Sequence, residues 1–252
     1  MNFDELDRRM RIFETAHDHC VLPGINIVVR LDGRGFTRLT KEVHAFEAPF
    51  DLRFRDMMLH TVEHLMNVGF NVRFGYTQSD EISLLLSPDD TAFNRKLRKL
   101  TSVLAGEASA KFSLELGALA CFDARVCQLP STDHVVDYFR WRSEDAHRNS
   151  LSAHCYWLLR REGLSYDAAT HSLRGATVAD KNELLFSRGI NFNELPSWQK
   201  RGTGLYWGDV AKAGRNPVTG QETTTTRRRI MTDLELPIGS AYSEMIRRLV
   251  TQ

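Results

Sequence analysis

At 252 residues, 42% of them hydrophobic, the chain can bury a sizeable core as one domain or one and a half. Its formal net charge of +1 excludes a global basic field, so any nucleic-acid site must be a local patch. No run of about 18 apolar residues is present, and the charged segment Met1 to Met10 lacks an apolar stretch, so neither a membrane span nor a secretory leader is expected. Cys20, Cys121, Cys127 and Cys155 form no CxxC pair, which suits reduced thiols and a cytoplasmic setting.

In chain order, Asn26 to Leu31 is β-branched and reads as a strand. Asp51 to Asn67 then places Leu52, Met58, Leu59, Val62, Leu65 and Met66 at helical spacing. Val72 to Tyr76 and Ile82 to Leu86 are strands flanking a tight polar turn. Phe93, Leu97, Leu100, Leu104, Ala108 and Phe112 mark a long helix before a fourth strand, Leu119 to Val126. This β-α-β-β-α-β order spells a ferredoxin-like split unit, an α+β class, ending near Pro130. Residues 1–130 are therefore expected to form the catalytic unit, and 131–252 a helical and hairpin extension packed on it. That extension should contain helices over Asp133 to Arg161, Tyr166 to Leu173 and Lys181 to Phe186. A hairpin of Leu205 to Trp207 and Thr223 to Met231 around Gly214 to Gly220 should follow, then a terminal helix over Ala241 to Leu249.

Two acidic motifs stand at strand ends: Asp32-Gly33-Arg34-Gly35-Phe36 and Gln78-Ser79-Asp80-Glu81. In the split unit the third strand lies between the first and second, so Asp32 and Asp80 share one edge of the sheet. Two carboxylates and a glycine carbonyl are the hard oxygen donors that Mg²⁺ takes while leaving room for phosphates. Glycines in the Gly33 to Phe36 loop let consecutive amides cradle phosphate oxygens. Glu81 is either a further ligand or an acid behind the site, since neighbouring strand side chains point to opposite faces. Arg95, Lys96, Arg98 and Lys99 crowd a helix start, where cations oppose the macrodipole; a bound polyphosphate would relieve that conflict, as would plain solvation.

The run Val29 to Phe36, with Phe46-Glu47-Ala48-Pro49 and Gly75 to Glu81, closely resembles the tRNA-histidine guanylyltransferase family and its 3′-to-5′ polymerising relatives. Phe122 to Val126, Asp137 to Arg142, Ala179 to Phe186 and Trp198 to Thr203 continue the likeness to about Trp207. The resemblance implies a polymerase palm-like core that adds nucleotides to the 5′ end of tRNA by a two-Mg²⁺ mechanism, with GTP and ATP as substrates. It implies catalysis at Asp32, Asp80 and Glu81, and metal ligation by Asp32, Gly33 and Asp80. Nucleotide binding falls to Asp32, Gly33, Arg34, Gly35, Phe36, Ser79, Asp80, Lys96, Lys99 and Arg125. RNA contacts fall to His147, Asn149, Lys181 and Asn182, and assembly to a homotetramer.

Ala48 stands where the family carries a lysine, and Arg148 and Ser150 depart from its His-Ile-Asn-Asn-Leu signature, which leans toward template-dependent 5′-end repair. A strict tRNA-histidine enzyme, a cyclase-like enzyme acting on free nucleotides, and an inactive RNA-binding protein are the alternatives. Trp198, Lys200 and Arg201 combine a stacking face with cations, although Trp198 fits a core equally well. His17, His19 and Cys20, and His60, Glu63 and His64, are soft-ligand clusters without a completing motif. A solvated helix face accounts for the second better than zinc does.

Overall fold

A computed structural model describes residues 1–215 and 222–251. The strands are β1 (Asn26–Gly33), β2 (Val72–Gln78), β3 (Glu81–Leu86), β4 (Phe122–Leu129), β5 (Thr203–Arg215) and β6 (Glu222–Asp233). They form one sheet in the order β4-β1-β3-β2-β5-β6, each neighbouring pair antiparallel. The third strand thus lies between the first and second. The expected hairpin extends this sheet instead of packing against it. Its loop, from Asn216 to Gly220, lies outside the described residues.

The helices are α1 (Phe3–Thr15), α2 (Phe36–Arg38), α3 (Leu52–Leu65), α4 (Leu97–Leu116), α5 (Thr132–Arg161), α6 (Tyr166–Leu173), α7 (Val178–Phe186), α8 (Ser197–Arg201) and α9 (Gly239–Thr251). Period-two alternation in β1 sends Ile27, Val29 and Leu31 to one face, where they meet Met58, Val62 and Leu65 of α3 and Leu100, Leu104 and Phe112 of α4. Each fully buried side chain of that kind is worth about 1.5–3 kcal/mol. Val28, Phe74, Tyr76 and Leu85 face the other way and pack on Val135 and Phe139 of α5 and Ile246 of α9. The 30-residue α5 also carries Leu151 and Cys155, which pack with Leu185 and Phe192 into a third cluster.

The ends of these helices follow local chemistry. Asp51 caps α3 by accepting from the Arg53 amide, Ser131 caps α5, and Thr177 with Asp180 forms a capping box that starts α7 three residues before the expected Lys181. Helix α4 starts at Leu97, not at Phe93, because Phe93, Asn94 and Arg95 all take positive φ. Arg95 is buried there and donates to the carbonyls of Pro88 and Ile25.

Candidate active site

Asp32 is the last residue but one of β1 and pairs across the sheet with Glu81, the first residue of β3. Asp80 occupies the two-residue turn just before it, so the element order does bring both aspartates to one edge. The Gly33 amide donates to the Asp80 carbonyl at 3.0 Å. A Cβ on Gly33 would lie 2.9 Å from the Asp80 Cβ and 2.5 Å from the Phe36 ring, so only glycine lets these three close together. Burial, with the charge of Asp32 alongside, pushes the Asp80 carboxyl up to about 6. Arg30 Nη2 stands 3.8 Å from the Asp32 carboxylate, whereas the Asp80 carboxyl is raised mainly by burial, and a divalent cation held by both aspartates would offset that cost. Among the described residues no group of three or more His, Cys, Asp or Glu could hold a metal. Any ion here would therefore rely on the two aspartates, backbone oxygen and substrate, which suits Mg²⁺ rather than zinc.

Glu81 is spent otherwise. Its Oε1 accepts from Arg142 Nε at 2.6 Å and its Oε2 from Arg142 Nη2 at 2.7 Å, in a bidentate fork, and Arg30 also donates to Oε2. Burial pushes Glu81 up while Arg142 and Arg30 pull it back. Of the two roles open from sequence, this favours the acid behind the site, because both oxygens already accept from arginines. Arg142 also reaches Asp145 at 3.2 Å, which accepts from Asn149 at 3.2 Å. A polar chain thus runs from the sheet edge along α5. Arg142 escaped the sequence reading as a site residue, although its Trp-Arg motif and the alternation that puts Arg30 and Glu81 on one face were available signals.

The glycine loop contributes less than expected. The Arg34 amide donates to the Cys121 carbonyl, so free amides begin only at Gly35, which takes φ 74 ahead of the single turn α2. Phe36 is buried, with its ring against Phe54, Phe112 and Phe122, and anchors the loop in the core. Ser79 is exposed beside Asp80 with φ 53. Arg125 lies opposite Arg30 on β4, near the same edge and exposed.

Lys96 and Lys99 are not brought to this site within one chain. They begin α4 beside Ile25 and Cys20, at the opposite end of β1 from Asp32, a separation of about 20 Å along the strand. Lys96 and Arg98 both pair with Asp18, whose carboxyl they hold down to about 2. That internal carboxylate, rather than a polyphosphate, relieves the crowding of cations.

Two cavities meet at Asp80. The first, about 260 Å³, is lined by Phe46, Phe50, Phe54, Trp157 and Trp198, with Lys41, Ser79 and Asp80 at its polar side. Trp198 is buried and edge-on to Phe50, which settles it as a cavity wall. The second, about 240 Å³, lies toward α5 and includes Asp32, Asp80, Asn149 and Ser150. His147 packs edge-on to Phe192, and burial lowers its pKa. Lys181 donates to the Ser152 hydroxyl at 3.0 Å, Asn182 bonds back to the Val178 carbonyl, and Lys200 to the Asn193 carbonyl. His60 and His64 are bonded to Glu115 and Glu107 of α4, so they tie two helices together instead of facing solvent alone.

Residues 7–130 match the family model described as tRNAHis guanylyltransferase, and residues 133–246 match Thg1 C terminal domain. A probable tRNA(His) guanylyltransferase of Drosophila melanogaster is 36% identical over 196 residues, covering 74% of this chain and 68% of its own length. The probable tRNA(His) guanylyltransferase of Bos taurus is 34% identical, covering 88% of this chain and 79% of its own length. Among solved structures, a bacterial tRNA(HIS) guanylyltransferase (Thg1)-like protein in complex with ATP superposes with a TM-score of 0.76 at 28% identity, over 98% of this chain and 100% of that one. The corresponding complex with GTP gives 0.73 at 29%, over 99% of this chain and 100% of that one.

Proposed function

The chain belongs to the tRNA(His) guanylyltransferase family of nucleotidyltransferases, and on that premise we propose that it extends the 5′ end of tRNA in the 3′-to-5′ direction. The observation that carries this reading is the convergence of Asp32 and Asp80 at one sheet edge, sealed by Gly33, with an aromatic cavity directly alongside. The β4-β1-β3-β2 order with α3 and α4 on one face supports a palm-like core. The aromatic cavity offers faces for a nucleobase, and Asp80 and Ser79 stand where its sugar and phosphates would emerge.

The reaction in this reading is attack by the 3′-hydroxyl of the bound nucleotide on the activated 5′ phosphorus of the RNA, with the activating pyrophosphate or nucleoside monophosphate leaving. Two Mg²⁺ ions, when bound, would activate the hydroxyl and neutralise the leaving group. Asp32, Asp80 and the Gly33 carbonyl would hold them. Arg142 and Arg30 keep Glu81 in place, which fixes the start of β3 and hence the turn bearing Asp80. His147, Asn149, Lys181 and Asn182 lie on α5 and α7, the helices offered to RNA. Phe3, Met10 and Phe13 are exposed on α1, an apolar face that a further copy of the chain could cover; the assembly proposed is a homotetramer.

Ala48, which lines the nucleotide cavity, and Ser150, which lines the second cavity, favour template-dependent repair over strict guanosine addition, since pairing with the opposite strand then supplies selectivity. Labelled-nucleotide incorporation into 5′-truncated tRNA and into full-length tRNA-histidine tests both. Addition that follows the template base supports repair. Guanosine added to tRNA-histidine alone, whatever base lies opposite, supports the strict activity. No incorporation into either RNA overturns the enzyme reading.

A further inference from the structure

One wall of the aromatic cavity is held far more loosely than the others. Phe36 and Asp51 are buried, but no residue between them is, and neither Leu39 nor Val43 joins a hydrophobic cluster. Thr37, Thr40, Lys41, Phe46, Ala48 and Phe50 of this stretch nevertheless all line the cavity. Among the described residues, every hydrogen bond and ion pair of residues 37–45 closes within the stretch from Gly35 to Phe46. The Arg38 and Leu39 amides donate to the Gly35 carbonyl, the His44 amide to Leu39 and the Phe46 amide to Thr40, while Arg38 pairs with Glu42. The backbone forms a π-helical turn, Leu39–Val43, a rare geometry that recurs at functional sites, and it is flanked by Gly35 at φ 74 and Ala45 at φ 45.

The one polar contact from residues 37–45 to another element, among the described residues, is made by Lys41. Its Nζ lies 5.2 Å from the centre of the Trp157 ring and 5.7 Å from that of Tyr156, both on α5 at the opposite wall. An exposed ammonium on a ring face is a weak tie that breaks and re-forms readily. A wall with buried ends, little packing between them and one weak tie across the cavity has the low local stability of a moving part. A base enclosed by Phe54, Trp157 and Trp198 also needs a way in. We propose that residues 37–45 are a lid over the aromatic cavity, hinged at Gly35 and Ala45, and that Lys41 is its latch onto Tyr156 and Trp157. The proposal rests on the nucleotide-binding reading above and deepens it by giving that cavity a gate.

The test uses the full chain with Lys41→Met, which keeps the stem and removes the charge, and Lys41→Arg, which keeps a cation for the rings. Lys41 is exposed, so both variants should fold. In nucleotide-free protein, the amides of residues 37–45 should exchange hydrogen faster than those of β1 and α3, and about fivefold faster still in Lys41→Met. Stopped-flow binding of a fluorescent GTP analogue with Mg²⁺ should show association and dissociation both about fivefold faster in Lys41→Met, with the dissociation constant within twofold, because a latch that acts alike on free and bound protein changes rates and not affinity. Lys41→Arg should restore near wild-type rates. Faster dissociation and weaker binding at unchanged association would make Lys41 a direct ligand contact and overturn the latch. Unchanged rates and exchange in Lys41→Met would overturn it as well, as would slow exchange across 37–45 in the wild-type chain. A wild-type chain that binds no GTP, yet exchanges as expected and responds to Lys41→Met, would uphold the moving segment and overturn the nucleotide reading, so the two failures are distinguishable.

Discussion

The two faces of the catalytic sheet are built from the same strands by opposite means. On the α3 and α4 side, β1 presents only Ile27, Val29 and Leu31, and the contacts are wholly apolar. On the α5 side the same strand presents Val28, then Arg30, then Asp32, and apolar packing gives way to a clamp of Arg30, Glu81 and Arg142 as the active edge is approached. The first face resists change through packing alone. The second holds charges that are stable only as a set, because a buried ion pair balances desolvation against attraction and fails when one partner is removed.

The sharpest way to probe that contrast is at the edge itself. Asp32→Ala and Asp80→Ala should each reduce nucleotide addition on the order of a thousandfold, and the double variant little further, because one shared site is lost. Single-turnover rates for the three variants check this. Arg142→Met comes next: it removes the bidentate partner of Glu81, leaves Arg30 alone to pair with that buried carboxylate, and should destabilise the protein by about 3 kcal/mol, with Glu81→Gln in the same chain restoring part of the loss. Urea melts of the two variants measure it. On the apolar face, Leu104→Ala should destabilise by about 2–5 kcal/mol through an empty cavity, yet leave the rate per folded molecule unchanged.

A pH prediction follows from Asp80. A carboxyl raised to about 6 binds more protons folded than unfolded, so its stabilising contribution is present below the usual carboxylate range and is lost as pH rises through about 6. Metal-free protein should therefore melt lower at pH 7.5 than at pH 5 by a margin that Asp80→Asn reduces. Thermal melts with chelator read this directly. The smallest effect is expected at the far end of the sheet: Lys96→Ala should cost about 1 kcal/mol, because Arg98 still pairs with the half-buried Asp18, and should leave nucleotide binding by the isolated chain unchanged. A large rise in the nucleotide requirement of the assembled protein would show that this end serves a neighbouring copy.

The strand order and the meeting of Asp32 with Asp80 were legible because hydrophobic periodicity names the elements and their sequence leaves few ways to pair them. The direction of α4 was legible too, but unused. It precedes β4, whose first residue Phe122 lies opposite Gly33, so its C-terminal end must reach the active edge and Lys96 and Lys99 the other. The fate of Glu81 was harder. Alternation places it on the α5 face, but its partner Arg142 is 61 residues away, on a helix whose rotation only the folded packing sets. Ser150 could be flagged as a departure from the family pattern, whereas the lack of a hydrogen-bond partner at its buried Oγ is a property of the structure alone. Helix α1 went unread because its apolar residues bury nothing within the chain.

The length of α5 has a consequence for how the molecule comes apart. One uninterrupted helix covers Val28, Phe74 and Leu85 at one end and holds Leu185 and Phe192 at the other, while the Tyr76 hydroxyl donates to the Arg201 carbonyl at 2.8 Å. Cutting the chain after residue 130 would strip one whole face of the catalytic sheet and leave its apolar side chains in water. The part that carries Asp32 and Asp80 is therefore no free-standing module. Melting should be a single cooperative transition, and a gene fragment ending at the fourth strand should yield insoluble protein.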